Sequence, residues 1–401
     1  MRDRDIRSHI LSLCAALLAV GLLSVSPAVR ADKFSLKIAS GHGPNWHFIQ
    51  LAQEYFIPEV KKRAKAMGHD VEFVEGFAGA MVKPTEVLEG LQSGIVDIGM
   101  YCVCHEAQKL PLHNFPSSLP FGPNDPDVSL KATRRVYDQV PEINAQYEKR
   151  FGQRNLALVP IETYIIISNF AIRGPADIKG RKIGGAGPNM FWVENVGALP
   201  TMVLGPDIYT SFQSKLIDGM LILSSSMDQL KLYDVAPYLI RTDFGSATHI
   251  TLNMSQRAIA RLPKPLADAI VQTGRDMEAQ AGTYTKAHEA KYLAILQKNG
   301  AKFVDIAPEQ RKAWADQLAK APGEIGAKAE KESNLPMRKV QKAYVEATRA
   351  LGHTWPVTFD NANIGLAIDH SFAHPSLPLV KRTIGPDLGS DHLPVTVTVG
   401  Y

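Results

Sequence analysis

The chain has 401 residues, 45% of them hydrophobic, 8% aromatic and 21% charged, a composition that excludes disordered and fibrous classes and fits a folded globular protein. That length exceeds what one domain needs, so two lobes, or one domain with an appendage, are expected. The net charge is +4, and beyond the first 31 residues 40 basic side chains face 38 acidic ones. A near-neutral body of mixed sign excludes a phosphate-tracking surface, and nucleic acid is not expected as a partner.

Residues 1–31 read as an export signal. Arg2, Arg4 and Arg7 form a basic start, Ile10 to Val25 is an apolar stretch, and Val29-Arg30-Ala31 offers small residues for cleavage before Asp32. A transmembrane anchor is the competing reading, but the apolar run falls short of the roughly 20 residues a spanning helix needs. Cys14, inside the run and preceded by Leu13, is a poor lipidation context. No later stretch is long and apolar enough to span a bilayer. The mature chain is therefore expected to be soluble and exported, most simply into the periplasm of a Gram-negative bacterium.

Phe34 to Ser40 alternates apolar and polar as a strand, and Gly41-His42-Gly43-Pro44-Asn45 leads into a helical pattern through Trp46, Phe48, Ala52 and Tyr55. A second strand near Val71 to Val74 ends in Gly76-Phe77-Ala78-Gly79-Ala80. A short helix from about Pro84 to Gly94 then precedes a third strand, Val96 to Tyr101. Strand and helix alternating at this spacing imply a mostly parallel sheet with helices on its faces. Cys102 and Cys104 are two apart on a likely strand, so their side chains point the same way, and with His105 they could hold a metal or close a strained disulfide. A metal site needs a fourth ligand at recognisable spacing and none is visible, so a pair of small, half-buried residues is the preferred reading.

The middle of the chain repeats the pattern. Leu156 to Ile161, Tyr164 to Asn169, Lys182-Ile183 and Met202 to Leu204 are strand-like, Asn189 to Gly197 is a helix, and Asp207 can cap another from Ile208 to Lys215. A second α/β lobe follows. The run Gly184-Gly185-Ala186-Gly187 sits between a strand and a helix but matches neither phosphate-cradling glycine pattern, and no acidic ribose ligand is placed as a nucleotide fold requires, so no nucleotide cofactor is expected. From Pro265 to Asn299, Ile270, Met277, Tyr284, Tyr292 and Ile295 recur at helical spacing over an unusually long stretch. Two more helical stretches surround Trp314 and Tyr344. Residues 352 to 401 hold four of the twelve His, five Pro and only two basic residues, a composition shift that marks a boundary. They read as three short strands, Leu366 to Phe372, Leu379 to Ile384 and Leu393 to Val399.

Several motifs carry a family likeness. Gly76 to Gly99, Ala176 to Ile183, Asp207 to Gln213 with Ile217-Asp218-Gly219, and the pair Leu110-Pro111 and Leu119-Pro120-Phe121-Gly122 together resemble, in order and spacing, the solute-binding proteins of tripartite ATP-independent periplasmic (TRAP) transporters. The likeness runs from about Phe34 to Gly352. It implies a two-lobed, type II-like periplasmic binding protein fold with a long bracing helix, a role in transport rather than catalysis, and TRAP membrane permease subunits as partners. The division expected is residues 32–155 as lobe I with part of 245–300, residues 156–245 as lobe II with the helices of 300–351, and a β appendage over 352–401.

Two departures bear on the ligand. In most members of that family a strand arginine clamps the substrate carboxylate, and here Gly184 holds that position; the asparagine expected after the Asp-Gly motif is replaced by Met220-Leu221-Ile222-Leu223. A buried carboxylate is usually met by a bidentate guanidinium, so its loss argues against the common dicarboxylate and sialic-acid-like substrates. Two readings stay open. An anion could bind the backbone N–H groups of Gly184, Gly185 and Gly187 and the helix start near Asn189, with Lys83 or His47 supplying charge. Alternatively a largely apolar cleft lined by Trp46, Tyr101, Phe191, Trp192 and Tyr164 would select an aromatic acid; each of these rings could equally be core, Trp192 above all. The compromise is a small, aromatic or weakly polar organic acid between the lobes, near His42, Tyr101, Gly184 and Ser224.

The tail resembles something else. Thr354-Trp355-Pro356, Ala367-Ile368-Asp369-His370 and Gly389-Ser390-Asp391-His392-Leu393-Pro394 look like the carboxy-terminal end of the endonuclease/exonuclease/phosphatase superfamily, where His392 would be the base, Asp369 its orienting carboxylate and Asp391 a metal or phosphate ligand. The upstream metal ligands of that family have no counterpart here. The tail reads as a catalytically incomplete remnant, with a metal-dependent phosphoesterase as the alternative function.

Overall fold

A computed structural model describes residues 32–185, 187–205 and 207–356, together with the backbone of 379–384 and 395–399. Strands β1 (Lys33–Ala39), β2 (Asp70–Gly76) and β3 (Ile98–Cys102) run parallel, and they share a five-stranded sheet with β4 (Gln153–Pro160) and β10 (His249–Ser255) in the order β2-β1-β3-β10-β4. A second, six-stranded sheet is built from β5 (Ile165–Ser168), β6 (Lys182–Gly185), β7 (Leu199–Met202), β8 (Gly219–Ile222), β9 (Tyr238–Arg241) and β11 (Lys302–Asp305), in the order β11-β9-β5-β8-β6-β7. Both sheets are mostly parallel, as expected, with one reversed strand in each. β10 runs antiparallel to both its neighbours, and so does β5, because each is the strand by which the chain has just crossed from the other lobe.

The crossings fix where the lobes meet. β4 stays in the first sheet through Pro160, so the first crossing is the segment 161–164 rather than residue 156. The chain returns over 242–248 into β10, and crosses a third time along the helix Lys264–Lys298 before β11. That 35-residue helix is the long helix expected from Pro265 to Asn299. It lies close against the first lobe because two glycines two turns apart permit it: a Cβ on Gly274 would stand 2.7 Å from the Leu156 carbonyl oxygen, and one on Gly282 would stand 2.5 Å from Asp127 Cα. Between them Glu278 accepts from Arg134 Nε (2.5 Å) and Nη2 (2.6 Å) and from the Leu158 amide (2.7 Å). Helix Pro126–Gln139, the bracing helix and β4 are thus held by one charge-assisted fork.

Three helices follow β11: Pro308–Leu318, Ala321–Ser333 and Met337–Ala350. They do not all attach to the second lobe. Trp314 Nε1 donates to the Trp192 carbonyl at 2.8 Å, whereas Gln341 Nε2 donates to Ser118 Oγ at 2.8 Å and the Tyr344 hydroxyl meets Ser129 Oγ at 3.1 Å, both in the first lobe. Buried packing continues past Gly352. His353 Nε2 lies 3.1 Å from the Phe121 carbonyl oxygen, and the Trp355 indole donates to Thr348 Oγ1 at 3.0 Å. Of the tail strands, Leu379–Ile384 and Val395–Val399 pair antiparallel. Leu366 to Phe372, Asp369, Asp391 and His392 lie outside the described residues.

Candidate functional site

Two groups of side chains stand where the lobes meet. The outer one is built on the loop after β1 and the turn after β3. His42 sits edge-on to Trp46 and to Phe48, each with ring centroids 5.2 Å away, and stacks on His105 at 5.6 Å. The turn that carries His105 is closed by a disulfide between Cys102 and Cys104, whose Cα atoms are 5.1 Å apart. This corrects the preference for two unlinked cysteines: the chain leaves β3 into a single 3-10 turn, Val103–Glu106, which brings the two Cβ atoms round to one side. From the second lobe Gly187 reaches the same turn; at φ +108° it adopts a conformation open to glycine, and a Cβ there would lie 3.6 Å from Cys104 Cβ. Burial pushes the His42 imidazole down to about 3, with His105 adding to the effect, so both rings of the stack are held as neutral, polarizable faces.

The inner group is fully enclosed. His47 opens the helix after Trp46, Glu162 belongs to the first crossing, His288 to the bracing helix, and Ser224 and Ser225 open helix Ser224–Gln229 of the second lobe. Glu162 Oε2 accepts from Ser224 Oγ (2.5 Å) and the Ser225 amide (2.9 Å), while Oε1 lies 3.2 Å from His288 Nδ1. Although burial opposes its charge, the bond to His288, the nearness of His47 and the two serine bonds bring the Glu162 carboxyl down to about 2. His47 Nε2 stands 3.2 Å from the Pro160 carbonyl oxygen; that oxygen can only accept, so Nε2 carries the proton and Nδ1 the lone pair. Burial lowers the His47 imidazole to about 4.

The other expected residues are placed as follows. Lys83 is exposed and stands 3.8 Å from Glu86, and His47, buried and neutral, turns inward, so neither presents a positive charge to the cleft. Tyr101 points into the first lobe, donating to Gln153 Oε1 at 3.1 Å and accepting from Asn253 Nδ2 at 3.0 Å. Trp192 is core: its indole donates to the Ser117 carbonyl and its ring packs against Phe244 and Tyr164. Tyr164 itself is buried, its hydroxyl pushed up by desolvation and tempered by the Asn189 amide beside it. Gly184 pairs in register with Met220, and a Cβ built on it would lie 2.8 Å from Met220 Sδ and 3.2 Å from Ile217 Cδ1. Gly185 faces the other side of the strand, toward Met190 Sδ. Where a clamping guanidinium would leave β6, this chain has apolar packing. Sequence reading missed Glu162 and His288: neither lies in a motif, and only the fold brings a crossing segment and a distant helix together.

A family model described as "Bacterial extracellular solute-binding protein, family 7" matches residues 50–328, most of the described body. The chain belongs to that family. A solute-binding protein of Albidiferax ferrireducens is 31% identical over 160 residues, a stretch that covers 39% of this chain and spans only about half, 47%, of that protein. Among solved structures, a TRAP solute-binding protein of Rhodoferax ferrireducens in complex with copurified benzoate superposes with a TM-score of 0.69 at 17% identity, over 79% of this chain and 98% of that one. A solute receptor of Bordetella pertussis binding pyroglutamic acid gives a TM-score of 0.65 at 21% identity, over 79% and 99%. The two-lobed architecture expected from the motifs is therefore that of the family 7 receptors. The matched region ends before the tail, and none of these relatives supports the phosphoesterase alternative.

Proposed function

We propose that this family 7 receptor captures a small aromatic or weakly polar organic acid between its lobes and delivers it to TRAP permease subunits in the membrane. The observation that carries the ligand class is Gly184 packed on Met220 and Ile217. With the clamp position closed by apolar atoms, recognition falls to the His42, Trp46 and His105 rings of the first lobe and to the backbone about Gly187 and Asn189 of the second. Neutral imidazoles and an indole offer π faces and one N–H donor each, which suits a flat or weakly polar acid better than a dicarboxylate. The benzoate and pyroglutamate bound by the structural relatives are acids of that size. The first 31 residues act as a cleaved export signal, so the mature chain starts at Asp32 and works in the periplasm as a receptor without turnover.

A thermal-shift screen of aromatic acids, cyclic amino acids, sugar acids and dicarboxylates tests this. A ligand present at 100 times its dissociation constant adds about 2.7 kcal/mol to stability. Aromatic or cyclic monoacids are expected to raise the melting temperature, and Trp46→Ala to abolish the shift without lowering the melting temperature of the free protein by more than a few degrees. A response confined to dicarboxylates would sink the proposed ligand class.

A further inference from the structure

We propose that His47, Glu162 and His288 form a binding site for a first-row divalent cation, best suited to zinc, that pins the place where the chain crosses between the lobes. The three side chains are buried and offer one ligand atom each, all within 4.8 Å of one another. Two imidazole nitrogens and one carboxylate oxygen are a recognised zinc donor set, leaving a fourth position for water. His288 Nδ1 and Glu162 Oε1, at 3.2 Å, already stand at about the separation that two neighbouring ligands hold when each lies ~2.0–2.2 Å from a tetrahedral ion.

The outer shell argues more strongly than the distances. Metal-bound histidines and carboxylates commonly have their far atoms fixed by a carbonyl or another donor, leaving the near atom for the ion. His47 and Glu162 follow that pattern. His47 Nε2 is held by the Pro160 carbonyl, and buried His47 Nδ1 has no hydrogen-bond partner. Glu162 Oε2 is held by Ser224 and Ser225, which leaves Oε1 facing His288 Nδ1 as its one close polar neighbour among the described residues. His288 differs: its Nδ1 faces Glu162, and its far atom Nε2 is buried without a hydrogen-bond partner among the described residues. A wholly buried carboxylate flanked by orphaned imidazole nitrogens is an expensive arrangement unless a cation completes it. Because the ligands come from the first lobe, the crossing segment and the bracing helix, the ion would fix the hinge; this inference stands apart from the ligand assignment above.

The test uses the full exported chain, stripped with chelator and dialysed against micromolar zinc. One zinc per chain by elemental analysis, a melting temperature several degrees above that in chelator, and a visible absorption band with cobalt are expected. His288→Ala should lower zinc affinity at least tenfold. Ser224→Ala, which keeps all three ligands, should lower it by roughly tenfold through the freed carboxylate. His105→Ala, which breaks the other neighbouring imidazole pair, should leave it unchanged. If His288→Ala fails to fold, the cobalt band and Ser224→Ala decide. Equal zinc affinity in the wild type and the Ser224 variant, or a melting temperature indifferent to zinc and chelator, would overturn the site.

Discussion

In the first lobe His113 Nδ1 meets the Tyr137 hydroxyl at 2.6 Å, and that hydroxyl meets His249 Nε2 at 2.8 Å. Burial, reinforced by the charge of Arg134, lowers His249 to about 3; burial, reinforced by His249, lowers His113 as well. A histidine whose folded value is depressed binds its proton more readily in the unfolded chain, so stability is greatest above the unfolded value near 6.5 and is lost as pH falls from there toward the folded one. Each tenfold difference in proton affinity between the folded and unfolded chain is worth about 1.4 kcal/mol. The melting temperature is therefore expected to fall steadily between pH 6.5 and 4, and His249→Gln, which keeps a partner for Tyr137, should flatten part of that slope. An unchanged slope in the variant would place the acid sensitivity elsewhere. The same residues show why site reading from sequence was partial. His42 and Trp46 stand in a glycine-rich loop after a strand, a position that sequence can flag. Whether Tyr101 or Trp192 faces a cleft or a core depends on partners such as Asn253 and Ser117, more than seventy residues away in both cases.

Among the elements, the bracing helix was the most legible, since its apolar period runs for thirty-five residues and overrides its two glycines. β10 is not legible as a buried strand. His249, Thr251, Asn253 and Ser255 alternate with apolar residues as though one face met water, yet every residue of the strand is buried. Thr251 and Asn253 on its polar face are satisfied internally, by Asn155 donating to Thr251 Oγ1 (2.7 Å) and Asn253 Oδ1 (3.0 Å) and by the Tyr101 hydroxyl. The helix glycines yield a prediction at this scale. Alanine normally stabilises a helix interior by about 1 kcal/mol over glycine. At Gly282 the added methyl would collide with the Asp127 backbone, so Gly282→Ala should instead destabilise by about 1–3 kcal/mol through overpacking. Chemical denaturation would check the sign; a gain in stability would mean that helix Pro126–Gln139 yields easily.

For the molecule as a whole, the boundary suggested by composition at residue 352 falls inside the packed body. Trp355 is 3% exposed, and its ring stands 6.3 Å from that of Tyr344, while Gly122 leaves space for its edge. Deleting everything after Pro356 is expected to leave ligand affinity and melting temperature unchanged. Deleting everything after Gly352 also removes the Trp355 and His353 anchors, and should cost about 3 kcal/mol or more, as loss of a buried tryptophan does. Equal melting temperatures for the two truncations would show that Trp355 merely rests on the surface.

The position of β10 also governs when the first lobe can fold. A protein chain emerges with its N-terminus first, yet β10 lies between β3 and β4, and β4 has no other strand partner in the sheet. Until residue 255 is out, β3 and β4 each present an unpaired edge, and two open edges invite association with other chains. The second sheet, meanwhile, needs β11, which follows the bracing helix. Neither lobe can be finished before the other is largely made, so the nascent chain has no early resting point, and a holdase that covers strand edges over roughly its first two hundred residues would be expected to raise the yield of folded protein.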